Sequence, residues 1–212
     1  FIPSLTVLAA FTAAALILAI TPGPDMTFFM SKTLTQGRRA GIAAVLGASA
    51  GLVIHTVLAA VGVSALLSAS EVAFMVLKIT GAAYLIWLAV QAIRNGSSLT
   101  LEAVRTTQQP IHRIWLQGLG INILNPKVVL FFVTFLPQFV SADDPAAIGK
   151  LLFLGSYFVV LGIPLCLLMV FGASAFSRFL KSSPRVMRAF DWAFAGIMGT
   201  FALKLLVARA NT

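Results

Sequence analysis

The chain has 212 residues, of which 59% are hydrophobic and only 10% charged, and its net charge is +9. A soluble domain carries roughly 25% charged residues, so the composition excludes one and leaves a polytopic membrane protein. The excess of lysine and arginine would suggest nucleic acid in a soluble chain; here the loops between membrane spans account for it, and nucleic acid is not an expected partner. The single cysteine, Cys166, excludes an internal disulfide, a C-x-x-C redox pair and a thiolate metal cluster; it reads as a buried thiol in an apolar run.

A spanning helix needs about 20 mostly apolar residues. Taken in chain order, six stretches meet that length: 5–35, 41–67, 72–93, 114–139, 148–173 and 189–208. The first resembles a signal peptide in part, but no basic residue precedes it and its apolar character resumes beyond Pro24, so it reads as a retained span. Between the third and fourth lies a polar linker, 94–113, carrying Asn95, Gly96, Ser97, Ser98 and Pro110. It divides the chain into halves of about 1–93 and 114–212 and leaves no soluble domain over. The runs are too long and continuous for the roughly ten-residue alternating segments of a membrane barrel. The predicted fold is therefore an all-α membrane protein, a single transmembrane domain over 1–212, with six helices in two groups of three.

Loop charges give the orientation. Lys32, Arg38 and Arg39 fall in the first connection, Arg94, Arg105 and Arg113 in the third, and Arg178, Lys181, Arg185 and Arg188 in the fifth, while the opposite side has Lys150 and Arg209. This bias predicts cytoplasmic odd connections and both termini outside. Three spans per half make the second half run opposite to the first, so the repeat is inverted.

The first span of each half contains a proline break, Thr21-Pro22-Gly23-Pro24-Asp25 and Asn125-Pro126-Lys127, about half a chain length apart. Proline removes a backbone donor and clashes with the preceding turn, and at membrane depth that is tolerated only where neighbours or a cavity satisfy the freed groups. Thr21 and Asn125 read as N-caps, with Pro22 and Pro126 at the first helical position. Each restarted helix then offers free N–H groups and a positive dipole end near the membrane centre, which favours a carboxylate.

Two charges stand at the restarts. Asp25 lies in the first turn of its helix, where a carboxylate is favoured, whereas Lys127 is opposed by its own helix dipole and needs an anionic partner. That partner is either Asp25 or a substrate carboxylate. Asp25 is also the best proton carrier, since burial opposes its charge while Lys127 and the dipole support it. His55 in the second span is either a further proton carrier or a neutral, hydrogen-bonded core residue. Tyr84, Gln117 and Asn122 are polar groups at similar depth, suited to substrate contact or to interhelical hydrogen bonds. Gly41, Gly47 and Gly51, with Gly118 and Gly120, mark close-packing faces that also suit a homodimer.

Other classes fit less well. A metal exporter should show several acidic or histidine residues in its spans, and only Asp25 and His55 stand out. No nucleophile–base constellation suggests an enzyme, no cofactor motif is present, and no phosphate-binding loop supports ATP hydrolysis in cis. Proton antiport is the simplest remaining energy source. Export of another solute and a non-transporting structural role are the alternatives.

The Thr21-Pro22-Gly23-Pro24-Asp25 segment, the glycine-punctuated second span, Gly81-Ala82-Ala83-Tyr84-Leu85 and Asn125-Pro126-Lys127, taken in this order, resemble the LysE/RhtB-type translocator family of amino-acid exporters. The resemblance covers essentially the whole chain. It implies a bacterial inner-membrane secondary transporter that expels amino acids or close derivatives, with the two breaks at its functional centre. Together with the charge reading, this sets the candidate substrate-binding residues as Thr21, Pro22, Gly23, Pro24, Asp25, Tyr84, Asn122, Asn125, Pro126 and Lys127. The proton-coupling candidates are Asp25 and His55.

Overall fold

The computed structural model describes residues 3–69, 71–95, 108–140, 144–175 and 184–207. No β-strand occurs among them. The helices are α1 (Leu5–Ile20), α2 (Pro24–Gln36), α3 (Arg38–Ala69), α4 (Glu71–Asn95), α5 (Ile111–Ile123), α6 (Pro126–Leu130), α7 (Ala147–Phe171) and α8 (Pro184–Val207). α6 runs on through a π-helical turn, Phe131–Phe135, and a 3-10 turn, Leu136–Phe139. Most of the linker, together with Arg105, Arg178, Lys181 and Arg209 used for orientation, lies outside the described residues.

Both predicted breaks are present. α1 and α2 meet at a 51° bend, and so do α5 and the segment Pro126–Phe139. Among the described residues, Arg38–Gly62 and Ala147–Phe171 are each long and apolar enough to cross a membrane, and each bent pair passes the same test as one span, which gives up to four. α4 and α8 occupy the third and sixth predicted stretches and pack against each other.

α3 is the central element, packed against α2, α5 and α7. Its glycine face explains how. A Cβ added at Gly47 would stand 2.1 Å from the Trp115 carbonyl oxygen, and one added at Gly118 would stand 2.5 Å from that of Ala44, so α3 and α5 touch backbone to backbone. In lipid, where apolar burial gives little drive, such close packing is what holds helices together.

Two apolar clusters flank the breaks. One gathers Phe11, Phe131, Phe132, Phe135 and Phe158, with Phe11 edge-on to Phe139 at 5.3 Å and Phe131 against Phe158 at 4.6 Å. The other holds Met26, Phe29, Met30, Ile114, Met169 and Val170. The π-helical turn lies within the aromatic cluster. There the Thr134 hydroxyl donates to the Leu130 carbonyl and the Gln138 amide to the Thr134 carbonyl, as expected where the helical ladder is disturbed. α7 carries Pro164 in its interior, two residues before Cys166.

Candidate functional site

At the first break the capping differs from the expectation. Thr21 is the C-cap of α1 rather than an N-cap: its N–H donates to the Ile17 carbonyl at 3.0 Å and its hydroxyl to the same oxygen at 2.6 Å. The cause is the second proline. Pro22 holds Thr21 extended, at ψ 124°, and Pro24 does the same to Gly23, so the helix resumes only at Pro24, with Gly23 as its N-cap. Asp25 stands in the first turn of α2, as expected.

At the second break Asn125 is the N-cap and Pro126 takes the first helical position, as expected. The Asn125 Oδ1 accepts the Lys127 N–H at 3.1 Å, and the Asn125 carbonyl accepts those of Val128 and Val129 at 3.0 Å each. Contrary to the expectation, these N–H groups are already bonded within the cap and are not free to receive a carboxylate.

The charge of each break engages the other break. Asp25 Oδ2 accepts from Asn122 Nδ2 at 2.8 Å and from Asn125 Nδ2 at 3.0 Å. Lys127 Nζ donates to the carbonyls of Leu18 at 3.2 Å and Thr21 at 2.9 Å, at the end of α1. Lys127 therefore has a local reason for its position that its own helix does not supply: the negative end of α1, with carbonyls left over by the proline break. Asp25 and Lys127 form no direct ion pair. Gly23 makes this approach feasible, since a Cβ there would lie 3.1 Å from Lys127 Nζ and 3.4 Å from its Cε. Hydrogen bonds to charged groups contribute about 1.5–3 kcal/mol each, so the four contacts lock the two breaks together.

A cavity of about 640 Å³, open mouth included, lies between the two apolar clusters. Thr21, Asp25, Asn122 and Lys127 line it, with Ser49 and an apolar wall that includes Leu18, Phe29, Leu52, Phe158 and Ile163. Two acceptors are buried here without a partner, Asp25 Oδ1 and Asn122 Oδ1. A lysine ammonium has three donors, of which Lys127 commits two to carbonyls.

The remaining candidates divide. Gly23 borders the cavity through Lys127, and Asn125 acts through its bonds to Asp25 and Lys127. Pro22, Pro24 and Pro126 shape the breaks but do not line the cavity. His55 is buried but away from the lining: its ring stacks on Phe132, 5.6 Å between centroids, and its Nε2 lies 3.4 Å from the Asn122 carbonyl oxygen. Gln117 is exposed on α5. Tyr84 lies in α4, and its side chain falls outside the described ones. Sequence reasoning missed Ser49 and Cys166, which line the cavity, and Asp191, which is buried on α8. For Asp191 the available signal was a carboxylate at the edge of an apolar run. Among the described residues no cluster of three acidic, histidine or cysteine side chains is placed to hold a metal.

Two helices broken at prolines, with an aspartate and a lysine lining one largely apolar cavity, fit a class, the membrane translocators of small solutes. The chain belongs to the LysE type translocator family, whose model matches residues 16–209, and it is a translocator and not an enzyme. It is similar to a homoserine/homoserine lactone efflux protein of Salmonella typhimurium, with 30% identity over 200 residues covering 94% of this chain and 96% of that protein. It is also similar to an uncharacterized membrane protein of Vibrio cholerae, 30% identical over 210 residues and covering 95% and 97%. A leucine efflux protein of an Enterobacter species is 24% identical over 195 residues, 92% of each chain. No solved structure matches the chain.

Proposed function

We propose that this protein exports amino acids or closely related derivatives across the bacterial inner membrane in exchange for protons. One observation carries the reading: the cavity has a pole of unpartnered acceptors, Asp25 Oδ1 and Asn122 Oδ1, and a cationic pole at Lys127. A zwitterion matches both. Its ammonium supplies the donors that the buried acceptors lack, and its carboxylate takes the remaining N–H of Lys127. The apolar wall suits an aliphatic side chain, in keeping with relatives named for leucine and for homoserine and its lactone. A lactone lacks the free carboxylate and keeps the ammonium, so the acceptor pole is the one that such cargo shares.

Coupling follows from the same pole. Substrate ammonium and a proton compete for Asp25, so one of them neutralises it in each half-cycle, and His55, already held between Phe132 and the Asn122 carbonyl, is the lesser candidate. The matched 51° bends, the three-and-three order and the loop charges support an inverted repeat of six spans with both termini in the periplasm.

Counterflow in liposomes with one carbon skeleton in three forms tests the proposal. The amino acid should exchange well, the decarboxylated amine more weakly, and the 2-hydroxy acid, which lacks the ammonium, not at all. A hydroxy acid that exchanges as well as the amino acid would overturn the assignment of the acceptor pole.

A further inference from the structure

The position of the Lys127 ammonium has a meaning beyond substrate contact. In a continuous helix the carbonyls of Leu18 and Thr21 would accept from the N–H groups four residues on, at positions 22 and 25. Pro22 has no N–H, and Asp25 belongs to the next helix. α1 ends at Ile20 and has no further N–H to replace these donors. The Lys127 Nζ stands in their place, 3.2 Å from the Leu18 oxygen and 2.9 Å from that of Thr21.

Carbonyls at the C-terminal end of a half-helix, converging on one positive charge, are the ligands by which transporters with discontinuous helices hold a coupling alkali cation. The Asp25 carboxylate, held by Asn122 and Asn125, lines the same cavity as this charge. Here the cation is covalently attached. Gly23 leaves the room it needs, because a Cβ at that position would press on Nζ at 3.1 Å. We propose that the Lys127 ammonium fills a monovalent-cation site formed by the Leu18 and Thr21 carbonyls, a tethered counterpart of a bound alkali ion, and that shortening this side chain opens the site to free Na⁺, K⁺ or methylammonium.

The test is thermal unfolding of the full chain in detergent, with choline chloride replaced stepwise by NaCl, KCl or methylammonium chloride at constant ionic strength. Lys127→Ala should unfold several degrees below the wild type in choline, and at least one of the small cations should return half or more of that loss, saturably. The wild type, whose site is filled, should not respond to the exchange. A variant indifferent to all three cations, or a wild type that responds as strongly as the variant, would overturn the proposal. If Lys127→Ala does not yield folded protein, the titration is made on Lys127→Ser, whose short side chain keeps a polar group at the break and leaves both the Leu18 and the Thr21 carbonyl facing the vacated space. The same small-cation response is expected, and its absence counts against the site. Because transport is not measured, failure here leaves the exporter reading intact, and failure of the counterflow series leaves this site intact.

Discussion

Replacing Gly51 with alanine tests the heart of the site. The added Cβ would stand 2.4 Å from Asn122 Oδ1 and 2.9 Å from the Asn122 Cβ and Cγ. Ordinary contact between carbons is about 3.5–4.0 Å, so the Asn122 side chain must retreat by roughly 1 Å. That is more than its 2.8 Å bond to Asp25 can stretch and survive. Overpacking costs about 1–3 kcal/mol and a lost bond to a charged group about 1.5–3 kcal/mol; the two overlap because one movement causes both. Against them stands the gain of about 1 kcal/mol for alanine over glycine within a helix. The net expectation for Gly51→Ala is a loss of about 1–2 kcal/mol in the wild type. In an Asn122→Gly background neither the amide nor the Cβ is left to displace, and the same change should be neutral or stabilising. The coupling energy of this double-mutant cycle should be about 2 kcal/mol. Unfolding of the four purified proteins measures it, and counterflow should fall about tenfold in Gly51→Ala if the coupling reaches Asp25. An equal cost in both backgrounds would mean that the methyl meets something other than Asn122, and the reasoning would fail.

Three further outcomes are expected. Cys166 is the single cysteine of the chain and lines the cavity, so saturating substrate should slow its conversion to a mixed disulfide by a small methanethiosulfonate severalfold; an unchanged rate would place the substrate elsewhere. Asp25→Asn should abolish accumulation driven by a pH gradient in inside-out vesicles while leaving some exchange, and a mutant that still concentrates substrate would remove Asp25 from the coupling role. A reporter active only in the cytoplasm, fused after Thr212, should stay silent, and clear activity would refute the orientation drawn from loop charges.

The breaks, the Asn125 cap and the tight seam at Gly47 and Gly51 were legible because each rests on local backbone chemistry. Thr21 was not. Two prolines in three residues offer two capping schemes, and the choice depends on the restriction that Pro24 places on Gly23. The partners of Lys127 lie 109 and 106 residues away. From the sequence only the dipole of its own helix was visible, and that pointed toward an anion; the carbonyls of α1 come into view only when the halves are packed. Ser49 and Cys166 were hidden for another reason. A helix apolar on all sides carries no phase by which to tell its cavity face from its lipid face.

Asn125 commits its two amide ends to different tasks, the oxygen to the start of α6 and the nitrogen to Asp25. Aspartate caps a helix as well as asparagine does, but it has no donor to give and would set one carboxylate against another. The capping residue is thus tied to Asp25, and the bond to Asp25 cannot be lost through this position without loosening the start of α6. Leu18, Phe29, Leu52, Phe158 and Ile163 are under no such constraint: they shape the wall and take no side-chain part in the polar frame. On the site proposed above, a lineage built on this plan changes its cargo by exchanging wall residues one at a time, with the polar frame inherited intact.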